Sequence, residues 1–108
     1  MVKKLVLAAA TLLLVGCLVA AADSSTWTGV VSDSHCGLRH SKASAQAAAC
    51  VEKCVAGGGK YVLVSGGKLY QVEPQEKFKG MGGKAVTVKG AKEGDTITAE
   101  SVEPAPTQ

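Results

Sequence analysis

Three cysteines and one histidine make up the most reactive stretch of this chain, residues 33–59. They follow the spacing Cys-x3-His-x9-Cys-x3-Cys, at Cys36, His40, Cys50 and Cys54. Three thiolates and an imidazole would fill a tetrahedral zinc shell, and soft thiolates suit monovalent copper equally well. The spacing therefore predicts a Zn or Cu site at these four residues, although the whole pattern is not a zinc-finger motif.

The same thiols have a simpler use as a disulfide staple. A bond from Cys36 to Cys50 or Cys54 would close a short loop and stabilise the fold by roughly 3 kcal/mol. Cys50 and Cys54 pair poorly with each other, because consecutive turns of a helix do not give disulfide geometry. A thiol-redox pair of Cys36 with Cys50 or Cys54 is a third interpretation, but the chain has no Cys-x-x-Cys motif. The sequence leaves all three open.

The two histidines differ in their expected reach. His40 lies just before the predicted helix and could reach the thiols, whereas His35, next to Cys36 in an extended segment, would point away. Asp33 could orient an imidazole, although turn formation is its simpler use. No oxyanion donor or orienting acid marks an acyl-transfer enzyme. The sequence favours a non-enzymatic binding module, with no catalytic residues and an unspecified ligand or protein partner.

The N-terminus has the pattern of a secretory signal peptide. A positively charged start, an apolar run and the small residues 20–22 precede Asp23, which predicts cleavage after residue 22 and a periplasmic or secreted protein. Residues 14–17 resemble a lipobox, so lipid anchoring of the envelope protein at Cys17 is the rival prediction. The residues after Cys17 remain apolar, which favours the alanine site.

The expected mature chain is one small domain of nearly neutral charge. Removing residues 1–22 leaves 86 residues (108 minus 22), with ten basic residues (12 minus Lys3 and Lys4) against nine acidic ones. A balance of +1 without a basic patch argues against nucleic-acid binding. A domain of this size benefits from a staple or a metal. We expect a folded region at 23–102 and a flexible tail at 103–108.

Hydrophobic alternation and turn residues predict five strands and one long helix. Trp27 is expected in the core. The predicted elements are a strand at 25–32, a helix at 42–55 capped by Ser41 and Gly57, a hairpin at 60–73 around Gly66 and Gly67, a short helical turn at 74–79 with Phe78 inward, and a hairpin at 84–102 turning at 92–95.

This order predicts a mainly β fold, a small five-stranded OB-like barrel with a helix inserted after the first strand. The segments TWTGVVSDSHC, CVEKCV, GGKYVLV and GKAVTVKG, with a histidine after the first, lie within residues 26–90. On these segments the chain resembles a family of small exported bacterial domains of unknown function, and the resemblance covers roughly residues 26–102. The resemblance implies an exported OB-like barrel and supplies no activity.

Overall fold

A closed barrel of five strands is the central element of the computed structural model, which describes residues 24–106. Its strand order is β1-β2-β3-β5-β4, and β4 pairs back onto β1. Neighbouring strands are antiparallel except β3 and β5, which are parallel. The elements are β1 Ser25–Asp33, a 3-10 helix Gly37–Arg39, α1 Ala45–Ala56, β2 Tyr61–Ser65, β3 Lys68–Glu73, a 3-10 helix Gln75–Phe78, β4 Ala85–Glu93 and β5 Thr96–Pro104. The predicted fold class, a mainly β OB-like barrel with a helix after the first strand, is confirmed.

Side chains that alternate along the strands fill the barrel interior. Many of them are β-branched or aromatic, the residue types that pack well on a pleated surface. The buried cluster is Val31, Val51, Tyr61, Leu63, Val72, Phe78, Val86, Val88, Ile97 and Ala99. Trp27 packs against this cluster while half-buried, with its ring centroid 6.4 Å from that of Tyr70. Because Trp27 and Val31 share one face of β1, Asp33 falls on the same inward face by the period of two.

The two hairpins follow the sequence pattern. In the first, Val64 pairs with Leu69 and Leu63 with Tyr70, in the predicted register. Gly66 and Gly67 have φ of 59° and 77°, the left-handed conformation that a two-residue type I′ turn requires.

The second hairpin is longer than predicted. β4 and β5 join at Gly94 and Asp95, and β5 runs to Pro104, beyond the expected end of the folded region at 102. Ala105 N–H donates to Ala85 O at 2.9 Å. Pairing with β4 therefore continues into the first residues of the expected tail. Phe78, at the end of the intervening 3-10 helix, is fully buried as predicted.

The start of α1 differs from the prediction. Ser44, not Ser41, is the N-cap: it has an extended backbone and its side chain accepts from Ala47 N–H at 2.9 Å, the geometry of a capping serine. Ser44 N–H also donates to Gly83 O at 3.2 Å. This bond holds the preceding residues in a non-helical path, so residues 42–44 do not belong to the helix that was expected to begin at 42. Gly57 is the C-cap, as predicted.

Two glycines form the surface on which α1 rests. A Cβ added to Gly83 would collide with the backbone nitrogen of Ala48, and one added to Gly82 would lie 2.7 Å from Val51 Cγ1. The helix backbone therefore touches the segment before β4 directly. This close approach sets the distance between α1 and the barrel.

A carboxylate locks the orientation of the same helix. Glu52 Oε1 accepts from the Tyr61 hydroxyl at 2.6 Å, and Glu52 Oε2 accepts from Gly82 N–H at 2.9 Å. These hydrogen bonds join α1 to β2 and to the glycine segment, so rotation of the helix about its axis would break both.

The predicted signal peptide, residues 1–22, and Cys17 lie outside the described residues, so cleavage and lipid anchoring stay predictions. Within residues 24–106 no helix combines the length and the apolar character needed to cross a membrane.

We predict that Gly83→Ala destabilises the protein far more than Gly80→Ala. Both glycines have positive φ, 71° and 76°, but a Cβ at Gly80 meets nothing within 4 Å. Gly80→Ala should cost about 1 kcal/mol of left-handed strain. Gly83→Ala adds a collision with α1 and should cost about 2 kcal/mol more. Urea unfolding of both variants is the measurement; equal losses would contradict the direct helix contact.

Candidate metal centre

A hydrogen-bonded turn after β1 positions Cys36. Asp33, the last residue of β1, is fully buried. Its Oδ1 accepts from the backbone N–H of His35 at 2.8 Å and of Cys36 at 2.9 Å, the turn-forming role considered from the sequence. Ser32 Oγ donates to Gly37 O at 2.7 Å. These bonds fix Cys36 relative to the end of the barrel.

The helix α1 supplies the other two thiols. Cys50 and Cys54 are one turn apart on one side of it, and Val51 between them is fully buried in the core. Both cysteines are half-buried. Anchoring of Val51 therefore directs the thiol-bearing side of α1 toward the turn that carries Cys36, and the sulfurs of Cys36 and Cys50 lie 3.9 Å apart.

The potential ligand atoms form two triplets that share Cys36. One triplet consists of Cys36, His40 and Cys50, and the other of Asp33, Cys36 and Cys54; within each, the ligand atoms lie within 4.8 Å of one another. We call these five residues the thiol cluster. It contains all four predicted ligands, although His40 and Cys54 fall in different triplets.

His35 and Asp33 lie on opposite sides of the boundary of the thiol cluster: His35 is outside it and Asp33 is within it. His35 is exposed and belongs to neither triplet, in line with its expected orientation. Asp33 was considered from the sequence only as an imidazole partner or turn residue, yet one of its carboxylate oxygens lies within 4.8 Å of the sulfurs of Cys36 and Cys54. The alternation of Trp27 and Val31 along β1 is the sequence feature that indicates the position of Asp33, because the same period of two directs Asp33 into the barrel.

Two polar atoms of the cluster are buried without a hydrogen-bond partner among residues 24–106: His40 Nε2 and Asp33 Oδ2. A buried polar group without a partner costs about 1–3 kcal/mol, and an ion is one of the explanations for such groups. Both side chains belong to a triplet of metal-ligand type. The chemistry of the donor set therefore fits a bound metal.

The sulfur separation supports the same conclusion. Zn–S bonds of about 2.3 Å in a tetrahedral shell place two sulfurs about 3.8 Å apart, close to the observed 3.9 Å between Cys36 and Cys50. The disulfide expected as the simplest use of Cys36 is not formed, since Cys36, Cys50 and Cys54 are all free thiols in the described part of the chain. A covalent S–S bond would require about 2.05 Å.

Removal from water raises the pKa of two of the thiols. It raises the pKa of Cys54 to about 11, and the nearby Asp33 charge adds to the effect. The pKa of Cys36 is also raised, first by its removal from water, then by its hydrogen bond with Cys50 and by Asp33. Both groups are therefore protonated at neutral pH when no metal is bound, and a metal must displace their protons.

A groove of about 470 Å³ leads from the surface to one side of the cluster. Its lining includes His40 and Cys50, the basic residues Arg39 and Lys42, and polar side chains at the start of α1. A hydrated ion could reach the first triplet by this route.

No family model, curated protein or solved structure matches this chain. The resemblance to small exported bacterial domains therefore remains a prediction from the sequence, although the mainly β, five-stranded domain that it implied is present.

We predict that Cys54 of the metal-free protein reacts slowly with iodoacetamide. At pH 8 its thiolate fraction should be roughly a hundredfold lower than in the unfolded chain, because its pKa is about 11 instead of 9.0. The alkylation rate should keep rising toward pH 11. Peptide mapping by mass spectrometry, with the protein in urea as control, measures it; a rate that levels off by pH 9 would refute the raised pKa.

Proposed function

We propose that this domain is an exported, non-enzymatic module that binds a soft metal ion, Zn²⁺ or Cu⁺, through Cys36, His40, Cys50 and Cys54. The observation that carries the proposal is the buried Nε2 of His40, which lacks a hydrogen-bond partner in the described region and belongs to a side chain grouped with the Cys36 and Cys50 sulfurs. Cys54 is the fourth ligand, since it lies on the same side of α1 as Cys50.

A bound ion would join two parts of the chain, the loop after β1 and the helix α1. Cys36 and His40 come from the loop after β1, whereas Cys50 and Cys54 come from α1. Binding energy at such a site is also folding energy. For a domain of this size the ion would contribute a substantial part of the stability.

The raised pKa values argue against a thiol enzyme. Nucleophilic and redox cysteines have lowered pKa values, because the thiolate is the reactive form. The pKa of Cys54 moves in the opposite direction, to about 11. Binding by a metal, which deprotonates the thiol on coordination, suits this environment better than turnover does.

The test compares the two histidines and the helical thiols. His40→Ala should weaken Zn²⁺ binding at least tenfold, since even the removal of an outer partner of a ligand costs 10–100-fold. Cys50→Ser and Cys54→Ser should each weaken binding and lower the melting temperature. His35→Ala is the matched control and should change neither quantity, because His35 is exposed and outside the cluster.

Titration with a competing chelator gives the affinities, and thermal unfolding with and without EDTA gives the linked stability. An unmodified protein whose melting temperature does not respond to EDTA would contradict metal binding, as would identical affinities of the His35→Ala and His40→Ala variants.

A second candidate, a disulfide or redox pair, is favoured by the 3.9 Å between the sulfurs of Cys36 and Cys50. Oxidation would join these two thiols and leave Cys54 free. In that case the protein isolated without reductant would lack two hydrogen atoms in mass. Cys50→Ser would then be destabilising and Cys54→Ser nearly neutral, an asymmetry that a four-ligand metal site does not produce.

Export and family membership are part of the same proposal. We expect the mature chain to begin at Asp23 without added lipid, because a polar segment directly follows the alanine site. Intact mass of the protein purified from its source measures this outcome. A diacylglyceryl group on Cys17 would instead establish the lipid-anchored form.

A further inference from the structure

Asp33 is a buried carboxylate that the four-ligand site does not use. We propose that the thiol cluster holds two divalent cations of the zinc type, with the Cys36 thiolate bridging them. The first ion is bound by Cys36, His40 and Cys50, and the second by Asp33, Cys36 and Cys54. This inference rests on the proposed function and extends it, since it assigns Cys54 to the second ion instead of the first.

The geometry of the ligand atoms carries this inference. The structure separates them into two triplets that share one sulfur, each with its atoms within 4.8 Å of one another. A single ion at the shared sulfur would leave one triplet unused. A thiolate sulfur has several lone pairs and can bind one ion on each side.

Each triplet also includes a side chain with a buried polar atom that has no partner among residues 24–106. Asp33 is fully buried, and its Oδ1 already accepts two backbone N–H groups. Its Oδ2 has no hydrogen-bond partner within residues 24–106, and the Asp33 side chain is grouped with Cys36 and Cys54. The first triplet likewise includes a side chain, His40, whose buried Nε2 has no partner in the described residues. Two such side chains, one in each triplet, indicate two ions.

The charge of the cluster agrees with two bound ions and with divalent cations. Three thiolates and one carboxylate carry −4 (−3 and −1), which two divalent cations neutralise. One divalent cation, or two Cu⁺ ions, would leave −2 at a half-buried position beside the fully buried Asp33. Burial of unbalanced charge is strongly unfavourable. A carboxylate oxygen is also a ligand for Zn²⁺, whereas Cu⁺ prefers sulfur.

The experiment is a Zn²⁺ titration of the metal-free protein followed by native mass spectrometry. The unmodified protein should bind two ions. Asp33→Asn should bind one, because a neutral amide is a poor ligand for Zn²⁺. Asparagine keeps an oxygen at Oδ1 for the turn hydrogen bonds, and circular dichroism checks the fold. Asp95→Asn is the control: Asp95 is exposed and pairs with Lys68 at 3.7 Å, and this variant should still bind two.

The outcomes separate the second ion from the proposed function. Saturation of the unmodified protein at one ion would overturn the second site and leave the four-ligand site standing. Absence of binding would overturn both. Two ions in Asp33→Asn would show that Asp33 is not a ligand. Should that variant not fold, Cys54→Ser, which leaves the turn intact, must also bind one ion for the inference to hold.

Cobalt tests the bridge itself. The first equivalent of Co²⁺ should give a high-spin electron paramagnetic resonance signal. The second equivalent should diminish that signal, because two ions that share a thiolate are magnetically coupled. A signal that doubles would overturn the bridging role of Cys36.

Discussion

The direct contact between α1 and the glycine segment before β4 is the constraint on which the thiol cluster depends. Neither Gly82 nor Gly83 has room for a side chain against the helix. A residue with a Cβ at either position would push α1 outward and take Cys50 away from Cys36, whose sulfurs now lie 3.9 Å apart. The site is therefore positioned by two residues that bear no functional group.

Cys36 and Cys54 are uncharged thiols in the metal-free protein. Without metal, removal from water raises the pKa of Cys36 and of Cys54, so these groups remain neutral thiols beside the buried Asp33. In the proposed two-ion form, two divalent cations would compensate the charge of the three thiolates and of Asp33. Isolated thiolates would be the unfavourable intermediate case, since they would face a carboxylate with little water to screen them. Metal binding at the proposed site would therefore be coupled to proton release.

The expected oxidising environment makes the choice between ion and disulfide functionally important. Exported proteins keep disulfides, and the sulfurs of Cys36 and Cys50 are near enough to be joined after a small movement. A bound ion would protect these thiolates from oxidation by occupying their lone pairs. Under the proposed function, the same residues would act as a ligand set when an ion is bound and as a staple after oxidation, with Cys54 and His40 used only as ligands.

Sequence alone determined the elements that depend on neighbouring residues. Alternation of apolar residues predicts the strands, Gly66 and Gly67 predict the first hairpin and its register, and the proline-initiated turn directs Phe78 inward. The ligand types and the one-turn spacing of Cys50 and Cys54 are equally local. These features follow from backbone preferences and side-chain periods within a few residues, so they can be read without knowing the rest of the chain.

Tertiary structure decided what depends on distant partners. Ser44 replaces Ser41 as the helix cap because its N–H bonds to Gly83 O, far along the chain. Gly82 and Gly83 became a packing surface only because α1 folds back on them. Asp33 is a buried carboxylate facing thiols only after the barrel closes and the helix covers its end. The spacing of these residues along the chain is visible in the sequence. Their proximity in space depends on contacts between distant segments, which local backbone preferences do not encode.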